Sequence, residues 1–303
     1  MSTGSLLAIV NPAAGNGRCG KLAGPALKRL RNSGVALDVV ESRSQGDASR
    51  LVREAYRSGR RRFLAVGGDG TSYEIVNGLF PEAQAKTGPP PEIAFLPLGT
   101  GNSFLRDFTD RPEEASLEAI QAGRTRLCDV LRLEHAGGVI HFINLLSLGF
   151  AADVAAFRNR HFRQGGQLAY LASVVVSLVR LKPQTFSLRL DEDPEYDRRA
   201  CLFLSFNNSK FTGGTMMIAP EADPGDGLIE VVRWGAIGPL RLLWNLPGLY
   251  SGAHIRHPRA SRRGARQVEF EPAGPVNVMV DGESLRLVCR RMDVLTSALA
   301  VVV

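Results

Sequence analysis

No apolar run in this chain is long enough to cross a bilayer. A spanning helix needs roughly 20 apolar residues, and the longest candidate, Leu168 to Val179, stops at Arg180. The opening MSTGSLLAIVNP lacks a basic start and a long apolar core, so no secretory signal is expected and the protein reads as cytoplasmic. Cysteine is scarce: Cys19, Cys128, Cys201 and Cys289 lie far apart without a C-x-x-C pair, which speaks against a zinc site or a disulfide framework. The histidines, His135, His141, His161, His254 and His257, form no metal-spaced cluster. Aromatic residues make up only 7% and are not interleaved with the basic runs, so a single-strand nucleic-acid platform is disfavoured.

Acid is in deficit. The formal charge is +7 and the excess gathers in Arg60-Arg61-Arg62 and in Arg256 to Arg266, RHPRASRRGAR. Such runs are solvated faces or attract anionic lipid, nucleic acid or acidic substrates. With 303 residues and 44% hydrophobic content, the chain suits two domains, or one large one, with real cores.

The most informative stretch is Arg62 to Leu79, RFLAVGGDGTSYEIVNGL. Phe63 to Val66 fits a buried strand. Gly67-Gly68-Asp69-Gly70-Thr71 follows, and then Tyr73, Val76 and Leu79 recur at helical spacing with Ile75 on their face. A glycine-rich turn before a helix brings backbone N–H groups and a partial positive charge to an anion. Asp69 within it would repel a phosphate unless a metal ion or a hydroxyl stands between them, which points to metal-assisted phosphoryl chemistry. The inert alternative is a strand-helix turn with Asp69 as a cap.

Leu6 to Val10, Val35 to Val40, Phe63 to Val66 and Glu92 to Leu96 are expected as strands, with helices after Asn11 to Lys21 and over Asp47 to Gly59. This alternation implies a mainly parallel open sheet whose ligands bind at the carboxyl ends of the strands. After about Cys128 strands dominate: Asp129 to Leu133, Val139 to Leu146, Phe186 to Leu190, Ala200 to Phe206, Leu228 to Val232, Gln267 to Phe270, Val276 to Val280 and Leu285 to Cys289. Helices are expected across Gln167 to Leu181 and Pro239 to Ser251. This part reads as a sandwich or barrel. The expected division is 1–126 for the α/β domain, 127–292 for the β-rich domain, and 293–303 as a segment returning to the first domain.

The first loop, Asn11 to Lys21, has three readings. Gly15-Asn16-Gly17-Arg18-Cys19-Gly20 spells a dinucleotide G-x-G-x-x-G, with Glu41 near the place of a ribose acid. The same residues with Lys21 nearly spell a P-loop, but Leu22 replaces the Ser or Thr that would hold magnesium. A phosphate lid using Asn11 and Lys21 is the third.

Three segments occur in order: NPAAGNGRCGK, GGDGTSYEIVNGL and LPLGTGNSFLRDF. With NNSKFTGGTMMIAPEADPGDGLIEV (Asn207 to Val231) and VMVDGE (Val278 to Glu283) they span nearly the whole chain. Together they resemble the diacylglycerol kinase catalytic family, which includes sphingosine, ceramide and bacterial soluble lipid kinases. The resemblance implies a phosphofructokinase- or NAD-kinase-like α/β domain that binds ATP, joined to a β-sandwich-like domain closing over a lipid alcohol. It implies nucleotide contacts at Asn11, Pro12, Gly15, Gly17, Ser42, Gly67, Gly68, Asp69, Gly70, Thr71, Glu74, Asn77, Thr100 and Asn102. Ser103 stands where many relatives carry Asp. Asp226, with the main-chain oxygens of Asp223 and Leu228, matches a structural magnesium site of bacterial members, and oxygen ligands suit that ion. Asp69, Asp281 and Glu283 would be the catalytic acids. Asp281 and Glu283, flanking a glycine in extended chain, would share one face, with Glu283 as general base in an Mg-assisted in-line transfer.

Leu168 to Leu181 and Leu240 to Tyr250 are apolar enough to line an acyl-chain pocket, although such stretches are usually core. Trp244 and Tyr250 with Arg241 and the Arg256 to Arg266 run suggest a transient peripheral contact with the inner membrane face. No nucleic-acid partner is expected, and a homo-oligomer is compatible with the chain. Three rival functions are an NAD-kinase-like phosphorylation of a soluble nucleotide, a non-catalytic nucleotide-binding module, and a dinucleotide oxidoreductase, which the first loop alone permits but which gives no reason for GGDGT.

Overall fold

Leu6–Val10 is uniformly apolar, the composition of a strand covered on both faces. It forms β1 with every residue buried in the computed structural model, which describes residues 4–80, 82–85, 88–149, 152, 183–271 and 274–303. Next come α1 (Arg18–Asn32), β2 (Leu37–Glu41), α2 (Asp47–Arg57), β3 (Arg62–Gly67), α3 (Asp69–Leu79), one-turn α4 (Glu82–Ala85) and β4 (Glu92–Pro97). β1 pairs in parallel with β2 and β3, and β3 with β4, so helices make the crossovers that parallel strands require. Cys19, Ala23, Leu27 and Leu30 are the buried stripe of α1, at helical spacing.

A 3-10 turn at Phe104–Asp107 and α5 (Pro112–Ala122), with proline in its first turn, lead into β5 (Thr125–His135) and its antiparallel partner β6 (Gly138–Phe142). β7 (Leu145–Gly149) then enters a different sheet. The single strand expected over Val139 to Leu146 is therefore two. The chain turns a corner at Ile143 and Asn144, whose N–H groups point to the Asp281 carboxylate rather than along a ladder.

The remaining strands are β8 (Gln184–Thr185), β9 (Leu188–Leu190), β10 (Ala200–Asn207), the small hairpin β11 (Phe211–Thr212) and β12 (Met216–Met217), and β13 (Ile229–Gly235). After α6 (Pro239–Asn245), α7 (Gly248–Ser251) and a 3-10 turn come β14 (Ala260–Ala265), β15 (Gln267–Phe270), β16 (Val276–Val280), β17 (Glu283–Leu287) and β18 (Cys289–Val302). The helix expected across Pro239 to Ser251 is interrupted at Pro247, and the basic run after Arg256 supplies an edge strand, β14, beside β13. The strand expected at Leu285 to Cys289 starts earlier and ends at Leu287. The helix expected across Gln167 to Leu181, with its apolar face, lies outside the described residues.

Two large sheets result, with strand orders β2-β1-β3-β4-β18-β15-β9 (β5 and β6 attached through β18) and β14-β13-β10-β7-β16-β17 (β8 attached through β10). Leu131 and Leu133 of β5, Val268 of β15 and Met292 of β18 pack against Leu146, Leu148, Leu204, Phe206, Val278 and Val280 of the second sheet. That is a sheet-on-sheet core. β18 belongs to both layers of organisation. Its end pairs in parallel with β4 at Ala300 and Val301, while its beginning pairs antiparallel with β15 and β5.

β18 is irregular between Leu295 and Leu299, where Ser297 takes a φ of 49°. The Ser297 N–H donates to Asp129 Oδ1 at 2.7 Å, and the Gly227 N–H donates to Asp129 Oδ2 at 2.7 Å. One buried carboxylate thus ties β5, β18 and the turn before β13 together. Asp129→Ala strands two N–H groups and is expected to lower the unfolding free energy by about 3 kcal/mol. Urea denaturation checks this; an unchanged midpoint would mean that those groups find other partners.

Candidate active site

Three loops meet at the carboxyl ends of β1, β3 and β4. The Gly99 N–H donates to Gly67 O at 2.8 Å and the Asp69 N–H to Gly101 O at 3.1 Å. A Cβ on Gly99 would fall 2.5 Å from the Gly68 Cα, so only glycine lets these two turns touch. Asn11 donates from Nδ2 to Thr71 Oγ1 at 3.2 Å and accepts the Ala13 N–H on Oδ1, which fastens the first loop to the second.

The opposing wall comes from the turn between β16 and β17. Val280 pairs with Glu283, which leaves the two-residue loop Asp281-Gly282 with φ of 43° and 87°. Two left-handed residues reading Asp-Gly are a type I′ hairpin turn. Asp281 and Glu283 therefore do not flank a glycine in extended chain as expected, and their side chains part. The Asp281 carboxylate turns inward and accepts the N–H groups of Ile143, Asn144 and Leu145 at 3.0, 3.1 and 3.0 Å. Glu283 reaches α3: a Cβ on Gly70 would stand 2.7 Å from Glu283 Oε1. A Cβ on Gly282 would lie 3.8 Å from the Asp69 Cβ, so the two carboxylate-bearing turns face each other closely.

Between them lies a cavity of about 730 Å³. Asn11, Gly15, Gly68 to Thr71 and Gly99 to Gly101 line it from the first domain, and Asn144, Ser147, Met279, Asp281, Gly282 and Ser284 from the second sheet. Its apolar part is walled by Leu202, Phe203, Trp234, Leu242, Leu246, Leu249 and Tyr250. No Lys, Arg or His is among its described lining residues.

Burial pushes the Asp69 carboxyl up to about 6, while the Ser103 N–H and hydroxyl pull it down. Asp281 is pushed up to about 7 by burial, with the neighbouring Asp69 charge adding and its three N–H donors opposing. Ser103 is buried, donates its N–H to Asp69 and accepts the Gly214 N–H on its hydroxyl. It occupies a place where an acid would add charge beside Asp69.

Several expected residues serve elsewhere. Glu74 accepts the N–H groups of Gly46 and Ala48 at 2.9 and 3.1 Å, capping α2 at its open N-terminus, and does not face the cavity. Asn77 exchanges hydrogen bonds with the His141 backbone at 2.8 and 2.9 Å, which pins α3 to β6. Asn102 closes its own loop by donating to Gly99 O at 3.4 Å. Gly67 is buried behind the turn, and Ser42 bonds back to Val10 O at the end of β2. Pro12 and Gly17 border α1, the carbonyl of Pro12 accepting the Gly20 N–H. Asp223 and Asp226 lie in the turn before β13, off the cavity lining. The Asp226 carboxylate accepts the Leu228 N–H at 2.9 Å, and Asp223 pairs with Arg126 and accepts the Gly225 N–H.

Sequence reading missed three polar groups in the cavity wall. Ser147 Oγ, Ser284 Oγ and Trp234 Nε1 are buried without a hydrogen-bond partner among the described residues. Ser147 sits within the apolar LLSLG of β7, and a lone hydroxyl in such a run was the available signal.

The fold and site define a class: a parallel-sheet domain whose glycine turns close against the hairpin edge of a β-sandwich. Residues 5–133 match the diacylglycerol kinase catalytic domain, and residues 144–303 match the YegS C-terminal NAD kinase beta sandwich-like domain. A diacylglycerol kinase of Mycobacterium tuberculosis (strain CDC 1551 / Oshkosh) is 30% identical over 284 residues, covering 92% of this chain and 89% of that protein. A protein named "Probable lipid kinase YegS-like" from Chromohalobacter salexigens is 34% identical over 270 residues, covering 85% and 81%. A crystal structure of a diacylglycerol kinase from Bacillus anthracis str. Sterne shares the fold, with a TM-score of 0.68, 20% identity and coverage of 98% and 96%. The chain belongs to the diacylglycerol kinase catalytic-domain family and carries the YegS-type sandwich-like C-terminal domain.

Asp69 supplies a test by pH. Its folded pKa lies above the ordinary 3.8, so its contribution to stability is full below about pH 4 and is lost as pH rises through about 6. Asp69→Asn removes that penalty. The variant is expected to melt above wild type at neutral pH, with the gap closing toward pH ~4, and to lose turnover. Parallel melting curves across that range would show that Asp69 carries no strain.

Proposed function

We propose that this protein transfers the γ-phosphate of ATP to the hydroxyl of a lipid alcohol of the diacylglycerol or sphingoid/ceramide type. The supporting observation is the single cavity in which glycine turns, facing carboxylates and an apolar wall meet. The turns at Gly15, Gly68 to Thr71 and Gly99 to Gly101, with the N-terminus of α3, suit the triphosphate. The apolar wall suits acyl chains, and the turn at Asp281 to Glu283 lies where a hydroxyl headgroup would sit.

A triphosphate entering a cavity lined by carboxylates and no described basic side chain needs a cation. The hard carboxylate oxygens of Asp69, which lines the cavity, fit magnesium. Bound with the nucleotide, it would neutralise charge on the β- and γ-phosphate oxygens. A second cation at the turn near β13 would be held by the Asp226 carboxylate with the main-chain oxygens of Asp223 and Leu228, since among the described residues no cluster of three acids gathers there. That turn lies away from the cavity and would hold the fold rather than the reacting groups.

Glu283 is the assigned base. An alcohol is a weak nucleophile at neutral pH, so a carboxylate must take its proton as the bond to phosphorus forms. The proton passes from the lipid hydroxyl to Glu283 as its oxygen bonds to the γ-phosphorus, and the bond from that phosphorus to the β-phosphate oxygen breaks in line to release ADP. Asp281 positions this turn through its three N–H partners. Ser147, Ser284 and the Trp234 indole offer hydrogen bonds to polar groups of the acceptor between its hydroxyl and its chains. This apolar depth is the feature that favours a lipid over a soluble nucleotide such as NAD.

Labelled ATP offered with diacylglycerol, sphingosine, ceramide and NAD tests the reading; phosphorylated lipid is expected, and product from NAD alone overturns it. Glu283→Gln should lower kcat by roughly 10²- to 10⁴-fold with ATP affinity kept, and equal turnover would remove Glu283 as base. Ser284→Ala should raise the lipid KM by about tenfold or less with kcat near wild type, the size of one neutral hydrogen bond.

A further inference from the structure

We propose that α6, α7 and the 3-10 turn after them form the face that docks on an anionic membrane surface and opens the cavity to it. The inference rests on the lipid reading above and adds a surface, its residues and its partner. Trp244 is 87% exposed and Tyr250 59% exposed, among the few large apolar side chains left open to solvent. Arg241 and Trp244 are three apart on α6 and share a side of that helix, while Leu242 is buried. Tyr250 is at once exposed and part of the cavity lining, so it marks a rim. Leu246, between α6 and α7, and Leu249 of α7 line the same cavity. One side of this strap walls the apolar pocket and the other meets water.

The charge is one-sided. From Ala236 to Arg266 there is no Asp or Glu, and six arginines are present. The structure divides them. Arg262 pairs with Glu221 and Glu230, and Arg263 with Asp193, so their charge is used within the fold. This corrects the sequence-based emphasis on the whole Arg256 to Arg266 run. Arg241, Arg256 and Arg259 are exposed and have no carboxylate partner among the described residues; Arg259 donates to Ala236 O. Gly248 packs on His254, which holds α7 and the 3-10 turn side by side. An exposed Trp and Tyr beside unpaired arginines is the composition of an interfacial face. The basic groups meet anionic headgroups, and the two rings have an apolar body and a polar edge that suit the headgroup boundary. A nucleic acid would use the charge but would leave the cavity rim without a purpose.

The test separates docking from catalysis. The intact protein is spun with vesicles of phosphatidylcholine alone or with about one-third phosphatidylglycerol, at roughly 0.1 M salt. Wild type should bind the anionic vesicles at least about tenfold more tightly. Arg241→Glu/Arg256→Glu/Arg259→Glu should weaken that binding on the order of a hundredfold, at roughly fivefold or more per arginine, and Trp244→Ala by several-fold. A charge-matched Lys28→Glu/Arg29→Glu/Arg290→Glu variant should bind like wild type. Both docking variants should keep wild-type turnover on a dispersed short-chain diglyceride and lose it on vesicle-embedded substrate. Equal binding to neutral and anionic vesicles, equal loss in the charge-matched control, or full displacement by a short DNA duplex would overturn the docking face. Absence of lipid phosphorylation with vesicle binding intact would overturn the kinase reading and leave the face standing.

Discussion

One buried carboxylate sets the geometry on which the site depends. Asp281 accepts three successive N–H groups from the corner between β6 and β7, so the hairpin turn it belongs to cannot move independently of that corner. The corner in turn carries β6, which Asn77 fastens to α3, and α3 begins at Asp69. The acidic turn of the sandwich and the glycine turn of the α/β domain are thereby held in register through side chains that are not themselves at the phosphate end of the cavity. Such a supporting shell is what keeps reacting groups within catalytic tolerance.

The electrostatics follow from that closure. Asp69 and Asp281 are brought close, and burial drives both carboxyls up from their ordinary values. A folded chain tolerates such groups when their charge is put to use. Here donors to anions come from backbone N–H groups of the glycine turns, and the described wall adds no basic side chain. Of the described arginines near the strap, Arg262 and Arg263 are paired with carboxylates, while Arg241, Arg256 and Arg259 have no carboxylate partner among the described residues.

β1 and β3 were legible because each is a buried apolar run followed by a glycine turn and a helix, and such a pattern reflects local burial. Gln267 to Phe270 and Val276 to Val280 were legible from the alternation of buried and half-buried positions along a strand. β18 was not: nine of its fourteen residues are exposed or half-exposed, and its continuity comes from parallel pairing with β4 and antiparallel pairing with β15 and β5, which no local pattern reveals. The corner at Ile143 and Asn144 was hidden because an apolar stretch looks the same whether it continues or turns between sheets. Glu74 and Asn77 stood within the motif yet point sideways into α2 and β6, since a helix next to a phosphate turn directs only part of its surface at the ligand.

By itself the sequence determined the chemistry on offer: glycines where turns approach closely, Asp69 among them, the Asp-Gly pair that demands a left-handed turn, and apolar runs enough for two cores. Only the tertiary structure decided which of those groups share a cavity, that Asp281 is a clamp while Glu283 is presented to α3, and which arginines remain unpaired. The reason is that backbone conformation responds to neighbours along the chain, whereas burial, pairing and pKa respond to groups dozens of residues away, and those distances exist only after folding.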